Sequence, residues 1–257
     1  MHRNLIFGIT IALLLGLSAV PIRSDLGGYG ENYNNNGDAE YSYVTDGLEV
    51  MWDFEWNAGV GVHDPNMTDR ILNLATGNYG TISGYPPQST EWEIGNNYIS
   101  SFGGEARITA SSLDYTDFMQ SDYKTYEMVM DFQPTDPSLW DMSHYMVKFS
   151  TSYNSLQYRR GEKLAYIDGT YISWGWSPTQ VTIVRDGDVI YCYNNGVLKR
   201  KVAASTNPKY PTAPRRTEIG DAMYGEMKVH SIRLYSRALT EEEIAQNYEY
   251  DKWRFGL

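Results

Sequence analysis

From Gly47 to Ser236 the chain is a succession of short runs in which apolar and polar positions alternate, broken by turn residues. GLEVMWDF (47–54) sets Leu48, Val50, Trp52 and Phe54 on one face, and TYEMVMDFQ (125–133) does the same with Tyr126, Met128, Met130 and Phe132. Strict alternation predicts half-buried strands. HYMVKF (144–149) and KLAYI (163–167) are further strand candidates. In TQVTIVRDGDVIYCYNNGVLKRKVA (179–203), Asp186-Gly187 links two β-rich runs, and Asn194-Asn195-Gly196 makes the next turn. These dipeptides suit tight hairpins, so three antiparallel strands are predicted in a row. EMKVHSIRLYS (226–236) supplies a last long strand with Val229, Ile232 and Leu234 apolar. Many short strands with frequent turns indicate a sandwich or a barrel.

The C-terminus changes period. Thr240-Glu241-Glu242-Glu243 is a capping box, in which the Thr hydroxyl accepts a backbone N–H and Glu243 reaches back. Ile244, Tyr248 and Phe255 fall on one helical stripe, predicting a helix over 240–253 packed on the sandwich edge. No repeat of 20–50 residues is found.

The N-terminus is different again. Arg3 precedes an uncharged apolar run from Leu5 to Leu17. Residues 1–24 are expected to be a secretory signal or, if uncleaved, an anchor through residues 5–22. A buried core helix is the alternative. Residues 25–46 carry four Gly and four Asn with no periodicity, and are expected to be a flexible linker to a domain over 47–257.

Composition narrows the function classes. With 42% hydrophobic and 21% charged residues, the chain is globular. Its formal charge of −11 argues against nucleic acid and anionic membranes as partners. The single cysteine, Cys192, excludes an intramolecular disulfide and lies in a β run as a small buried hydrophobe. Four scattered histidines offer no pair at zinc-ligand spacing.

Three segments, 47–84, 181–202 and 229–257, together resemble the laminin-G-like domains of the concanavalin A-like lectin/glucanase superfamily, in its bacterial and phage branch. The closing VHSIRLYSRALTEEEIAQNYEYDKWRFGL is the most specific of the three. The resemblance implies an all-β fold: a two-sheet antiparallel jelly-roll sandwich with one C-terminal helix. It does not imply one activity. Glycosidases of the superfamily carry a Glu-x-Asp-x-x-Glu strand, which this chain lacks. Glu127 and Asp131 share a strand face but stand about 13 Å apart, beyond the separation a carboxylate pair needs. Glu91/Glu93 and Asp53/Glu55 have closer spacing, with solvated acids as the alternative reading. A non-catalytic module is therefore expected.

Binding features are aromatic. Tyr171, Trp174 and Trp176 alternate along YISWGW (171–176), either at a sheet rim facing a ligand or in the core. Trp140 lies in a polar loop, and Tyr153 and Tyr158 flank an expected turn. Calcium is the one cofactor to consider, since the resemblance implies a rim site built from Asp side chains. Asp64, Asp69, Asp136 and Asp221 lie in predicted loops. The expected function is extracellular recognition of a glycan or a surface protein by a secreted or surface-anchored chain. The alternatives are a virion decoration or fibre protein, and a glycosidase with unmatched carboxylates.

Overall fold

The computed structural model describes residues 42–54, 70–85, 90–91, 99–102, 105–110, 118, 120–134, 143–149, 151–159, 162–173, 179–208, 216–221 and 225–257. The expected signal segment and most of the expected linker lie outside them. The strands, in chain order, are β1 (Leu48–Asp53), β2 (Arg70–Leu72), β3 (Tyr79–Tyr85), β4 (Thr90–Glu91), β5 (Ile99–Phe102), β6 (Glu105–Ala110), β7 (Tyr123–Pro134) and β8 (Ser143–Phe149). They continue with β9 (Thr151–Arg159), β10 (Glu162–Ile167), β11 (Thr170–Ser173), β12 (Thr179–Asp186), β13 (Val189–Asn194), β14 (Val197–Ala203), β15 (Arg216–Asp221) and β16 (Gly225–Tyr235). One helix, α1 (Glu241–Phe255), follows.

The strands form two antiparallel sheets. The first runs β14-β13-β12-β7-β16-β5-β4, with β1 also on β16; the second runs β11-β10-β9-β8-β15-β6-β3-β2. The alternating apolar residues face one another between them. Val50, Trp52, Tyr126, Met128, Ile183, Cys192, Ile232 and Leu234 of the first sheet meet Ile71, Val147, Ala165, Ile167 and Ile172 of the second in one buried cluster. The fold is an all-β sandwich with a C-terminal helix. Cys192 belongs to this core, and burial pushes its thiol up to about 12.

Local chemistry explains the turns. Val229 and Ile232 are three apart, which alternation alone would send to opposite faces. The register against β7 shifts between Val229 and Ser231, and this bulge returns both to the core. Asn195 (φ 52°) and Gly196 (φ 69°) are both left-handed, as a primed hairpin turn requires. A Cβ on Gly196 would stand 3.1 Å from the Tyr248 ring, so glycine is needed there for space as well. In the preceding hairpin Asp186 still pairs with Val189, so the two turn residues are Gly187-Asp188, one position later than predicted.

Helix α1 is capped as predicted. The Thr240 hydroxyl accepts from the Glu243 N–H and Glu243 accepts from the Thr240 N–H, while Gly256 ends the helix in the left-handed region. Its packing differs from the expectation. It lies on the face of the first sheet turned away from the core, not on the sandwich edge, and its buried residues are Ile244, Asn247 and Asp251. Tyr248 and Phe255 of the predicted stripe are only half-buried. The linker expectation also shifts at its end, because Tyr43 and Val44 are buried against α1.

Charges join these parts. Arg233 on β16 is fully buried. Its Nε donates to Glu127 on β7 at 3.1 Å. Its two terminal nitrogens donate to both oxygens of Asp251. The Tyr43 hydroxyl donates to Asp251 at 2.6 Å, and the Val44 N–H to Asn247 at 2.9 Å. Asn247 in turn donates to Glu127 at 2.7 Å. Arg254 forms a second fork with buried Asp53 of β1, at 2.7 and 2.9 Å. Burial raises Glu127 and Arg233 opposes the shift, leaving its carboxyl above the ordinary value. Removing one member of a buried ion pair strands the others. Arg233→Met is therefore expected to lower unfolding free energy by about 3–5 kcal/mol, measured by chemical denaturation. A loss below about 1 kcal/mol, the range of an exposed pair, would refute this role.

Candidate functional site

Two stacked aromatic pairs reach the surface among the described residues: Tyr250 with the exposed Trp253 on α1, and Tyr166 with Tyr171 on the second sheet. β10 and β11 form a hairpin at the end of the second sheet, joined by Asp168-Gly169. Both turn residues are left-handed, at φ 49° and 95°. The register sets Tyr166 opposite Tyr171, while Ala165, Ile167 and Ile172 turn into the core. The two tyrosine rings stack at 4.1 Å between centroids and 12° between planes. Tyr171 is 45% exposed. Stacking on Tyr166 holds its ring in place, so little rotamer freedom remains to be lost on binding.

The hairpin tip is fixed from the first sheet. Asp168 is buried, and its carboxylate contacts Lys124 of β7 at 2.7 Å and Arg185 of β12 at 2.5 Å. Arg185 also reaches Asp122 at 2.5 Å. Burial pushes Lys124 down to about 8, against the pull of Asp168. One residue thus makes the turn and ties the two sheets together beneath the tyrosine pair.

Backbone register extends the site across the second sheet. Tyr166 stands opposite Ser155, which stands opposite Lys148. Lys148 stands opposite Glu218, and Glu218 opposite Arg107. Polar and charged register positions therefore continue the aromatic pair across β9, β8, β15 and β6. Ser155, the position next to the pair, is fully buried, so the part of this face that is open among the described residues is the tyrosine pair itself.

The sequence-derived residues distribute unevenly over this frame. Tyr171 is in the site. Tyr153 and Tyr158 lie within strand β9, not around a turn. Tyr153 lies where the register of β9 against β8 is irregular, between Thr151 and Ser155. Tyr158 stands opposite Lys163 of β10. Trp140, Trp174 and Trp176 lie outside the described residues. So do Asp64, Asp69 and Asp136. Asp221 ends strand β15 and is not in a loop. Among the described residues no three His, Cys, Asp or Glu side chains are grouped to hold a metal. Tyr166 is absent from the sequence-derived set. Its signal is the Asp168-Gly169 dipeptide between AYI and TYIS, which pairs Tyr166 with Tyr171 as a hairpin must.

Two of the carboxylates weighed for acid–base work are buried in ion pairs. Glu127 is fully buried and engaged by Arg233, Asn247 and, at 3.0 Å, Thr182. Asp53 is buried against Arg254. Glu91 belongs to β4, while Glu55 and Glu93 lie outside the described residues.

No family model matches the sequence, and no curated protein matches it either. Solved structures do match in shape. The binding domain of botulinum neurotoxin serotype D aligns with a TM-score of 0.59 at 14% identity, covering 82% of this chain and 53% of that one. A binding domain of botulinum neurotoxin DC in complex with SialylT gives 0.58 at 9% identity, covering 80% and 52%. The same domain in complex with rat synaptotagmin II gives 0.57 at 9%, again covering 80% and 52%. The likeness is one of fold. The chain spans about half the length of these structures.

The anchoring role of Asp168 is testable. Asp168→Asn keeps a residue that tolerates the left-handed turn but leaves Lys124 and Arg185 short of a buried counter-charge. We expect a loss of about 3–5 kcal/mol in unfolding free energy. Unchanged stability would show that the hairpin does not depend on the ion pairs.

Proposed function

We propose that the chain is a non-catalytic recognition module of a secreted or surface-held protein, binding a glycan through the tyrosine face of the second sheet. The observation that carries this reading is the exposed Tyr171 ring stacked on Tyr166. Sugar rings present C–H faces that stack on such rings. An aromatic ring held flat supplies contact area at low entropic cost. Further support comes from the shared fold of the botulinum neurotoxin DC binding domain, solved with SialylT and again with rat synaptotagmin II. The sandwich closed by a capped C-terminal helix supports the laminin-G-like assignment. Calcium is the cofactor this assignment brings with it, with Asp64, Asp69, Asp136 and Asp221 as the aspartates the sequence offers for it.

A glycan-array screen of the full chain, with calcium and again with EDTA, tests the proposal. A defined glycan class is expected to bind, and Tyr171→Ala is expected to weaken it by up to about tenfold, the worth of one aromatic contact. EDTA sensitivity would assign the calcium. Absence of glycan binding under both conditions, or binding unaffected by Tyr171→Ala, would overturn the reading.

A further inference from the structure

The end of the first sheet that lies beside β11 carries a feature that glycan recognition does not use. β14 pairs with β13 alone and ends the sheet. Val197 through Lys201 are exposed without interruption. A strand packed on one face buries every second residue. Five exposed residues in succession mean that neither face of this stretch is covered. Among the described residues no strand pairs with its outer edge, so the outward N–H and C=O groups have no ladder partner there. Val197 and Leu198 are 55% and 41% exposed.

The same stretch is basic in an acidic protein. Lys199, Arg200 and Lys201 are consecutive, while the chain as a whole carries −11. The register shifts between Cys192 and Tyr193: Leu198 faces Tyr193 and Arg200 faces Cys192, leaving Lys199 in a bulge. The Lys201 ammonium lies 4.9 Å from the centroid of the Tyr191 ring, opposite it on β13. Among the described residues the ion pairs lie elsewhere, at Lys124, Arg185, Arg233, Arg237, Lys252 and Arg254. The three β14 cations have no carboxylate partner in that set.

Lysines on an edge strand commonly serve to stop strands of like copies from pairing. Here the same charge rejects a second copy and attracts a strand of opposite sign, so exclusion and selection come from one set of residues. We propose that β14 is a docking edge for an extended acidic segment of a protein partner, which adds to the first sheet as a further strand. Main-chain hydrogen bonds to the free edge would supply affinity. Carboxylates opposite Lys199, Arg200 and Lys201 would supply selectivity, and an apolar residue of the partner would cover Val197 and Leu198.

Fluorescence anisotropy with the full chain tests this. The probes are a fluorescein-labelled peptide of alternating Glu and Val and the same peptide N-methylated at alternate residues, which removes strand-pairing donors and keeps the charge. We expect the first probe to bind and the N-methylated probe to bind about tenfold more weakly or worse. The triple variant K199E/R200E/K201E should weaken the first probe by a similar factor while its melting temperature stays unchanged, since the three side chains are exposed. The Tyr171→Ala variant should bind the peptide normally. Absence of peptide binding overturns the proposal. Equal binding of both probes also overturns it, because charge alone would then account for the affinity and a polyanion such as dextran sulfate would be the better ligand class.

Discussion

A guanidinium with no access to water must find its counter-charges inside the protein, and Arg233 finds them on two other elements. Desolvating such ions is costly, and their attraction offsets the cost only when geometry and hydrogen bonds are complete. Here Glu127 comes from the neighbouring strand and Asp251 from the C-terminal helix. Tyr43 and Asn247 satisfy remaining oxygens of both carboxylates. The helix, strands β7 and β16, and the segment entering the domain are therefore one unit. This explains why the outer face of the first sheet is occupied by structure. Its carboxylates are closed to a substrate for the same reason that they stabilise the fold.

Asp168 solves a similar problem on the other side of the core. Its left-handed backbone makes the β10–β11 turn, and its carboxylate neutralises two buried cations of the first sheet. The hairpin is thereby fixed at a turn that would otherwise be held only by its strands. The stacked tyrosines sit on that fixed hairpin. The second sheet consequently presents a pre-set aromatic edge, while β14 of the first sheet presents an exposed basic one. Recognition surfaces remain where ionic anchoring leaves the sheets uncovered.

The sandwich was legible because its signals are local. Alternation in 47–54 and 125–133, turn dipeptides at 187 and 195–196, and the box at Thr240–Glu243 each reflect physics within a few residues. Even the bulge in β16 shows in the uneven spacing of Val229, Ile232 and Leu234. What escaped was the polar inside of α1. Apolar periodicity points to Ile244, Tyr248 and Phe255, but the buried face follows Ile244, Asn247 and Asp251, whose inward role depends on Arg233 and Glu127 far away in sequence. Glu127 alternates with core residues, so nothing within its own strand marks it as buried. Tyr43 and Val44 lie in a Gly- and Asn-rich stretch and become part of the domain only through contacts with the helix. The candidate site was half legible: Tyr171 stands out by composition, whereas Tyr166 gains meaning only from its cross-strand position.

The central claim is that buried ion pairs make the C-terminal helix inseparable from the sandwich. Amide hydrogen exchange of the full chain, read by mass spectrometry, tests it most directly, because it reports how independently each segment opens. Peptides spanning Ile244–Asp251 are expected to exchange as slowly as those of β7 and β16, through the same global opening. Rapid exchange across the helix while both strands stay protected would show the helix to be an appended element and would contradict the account.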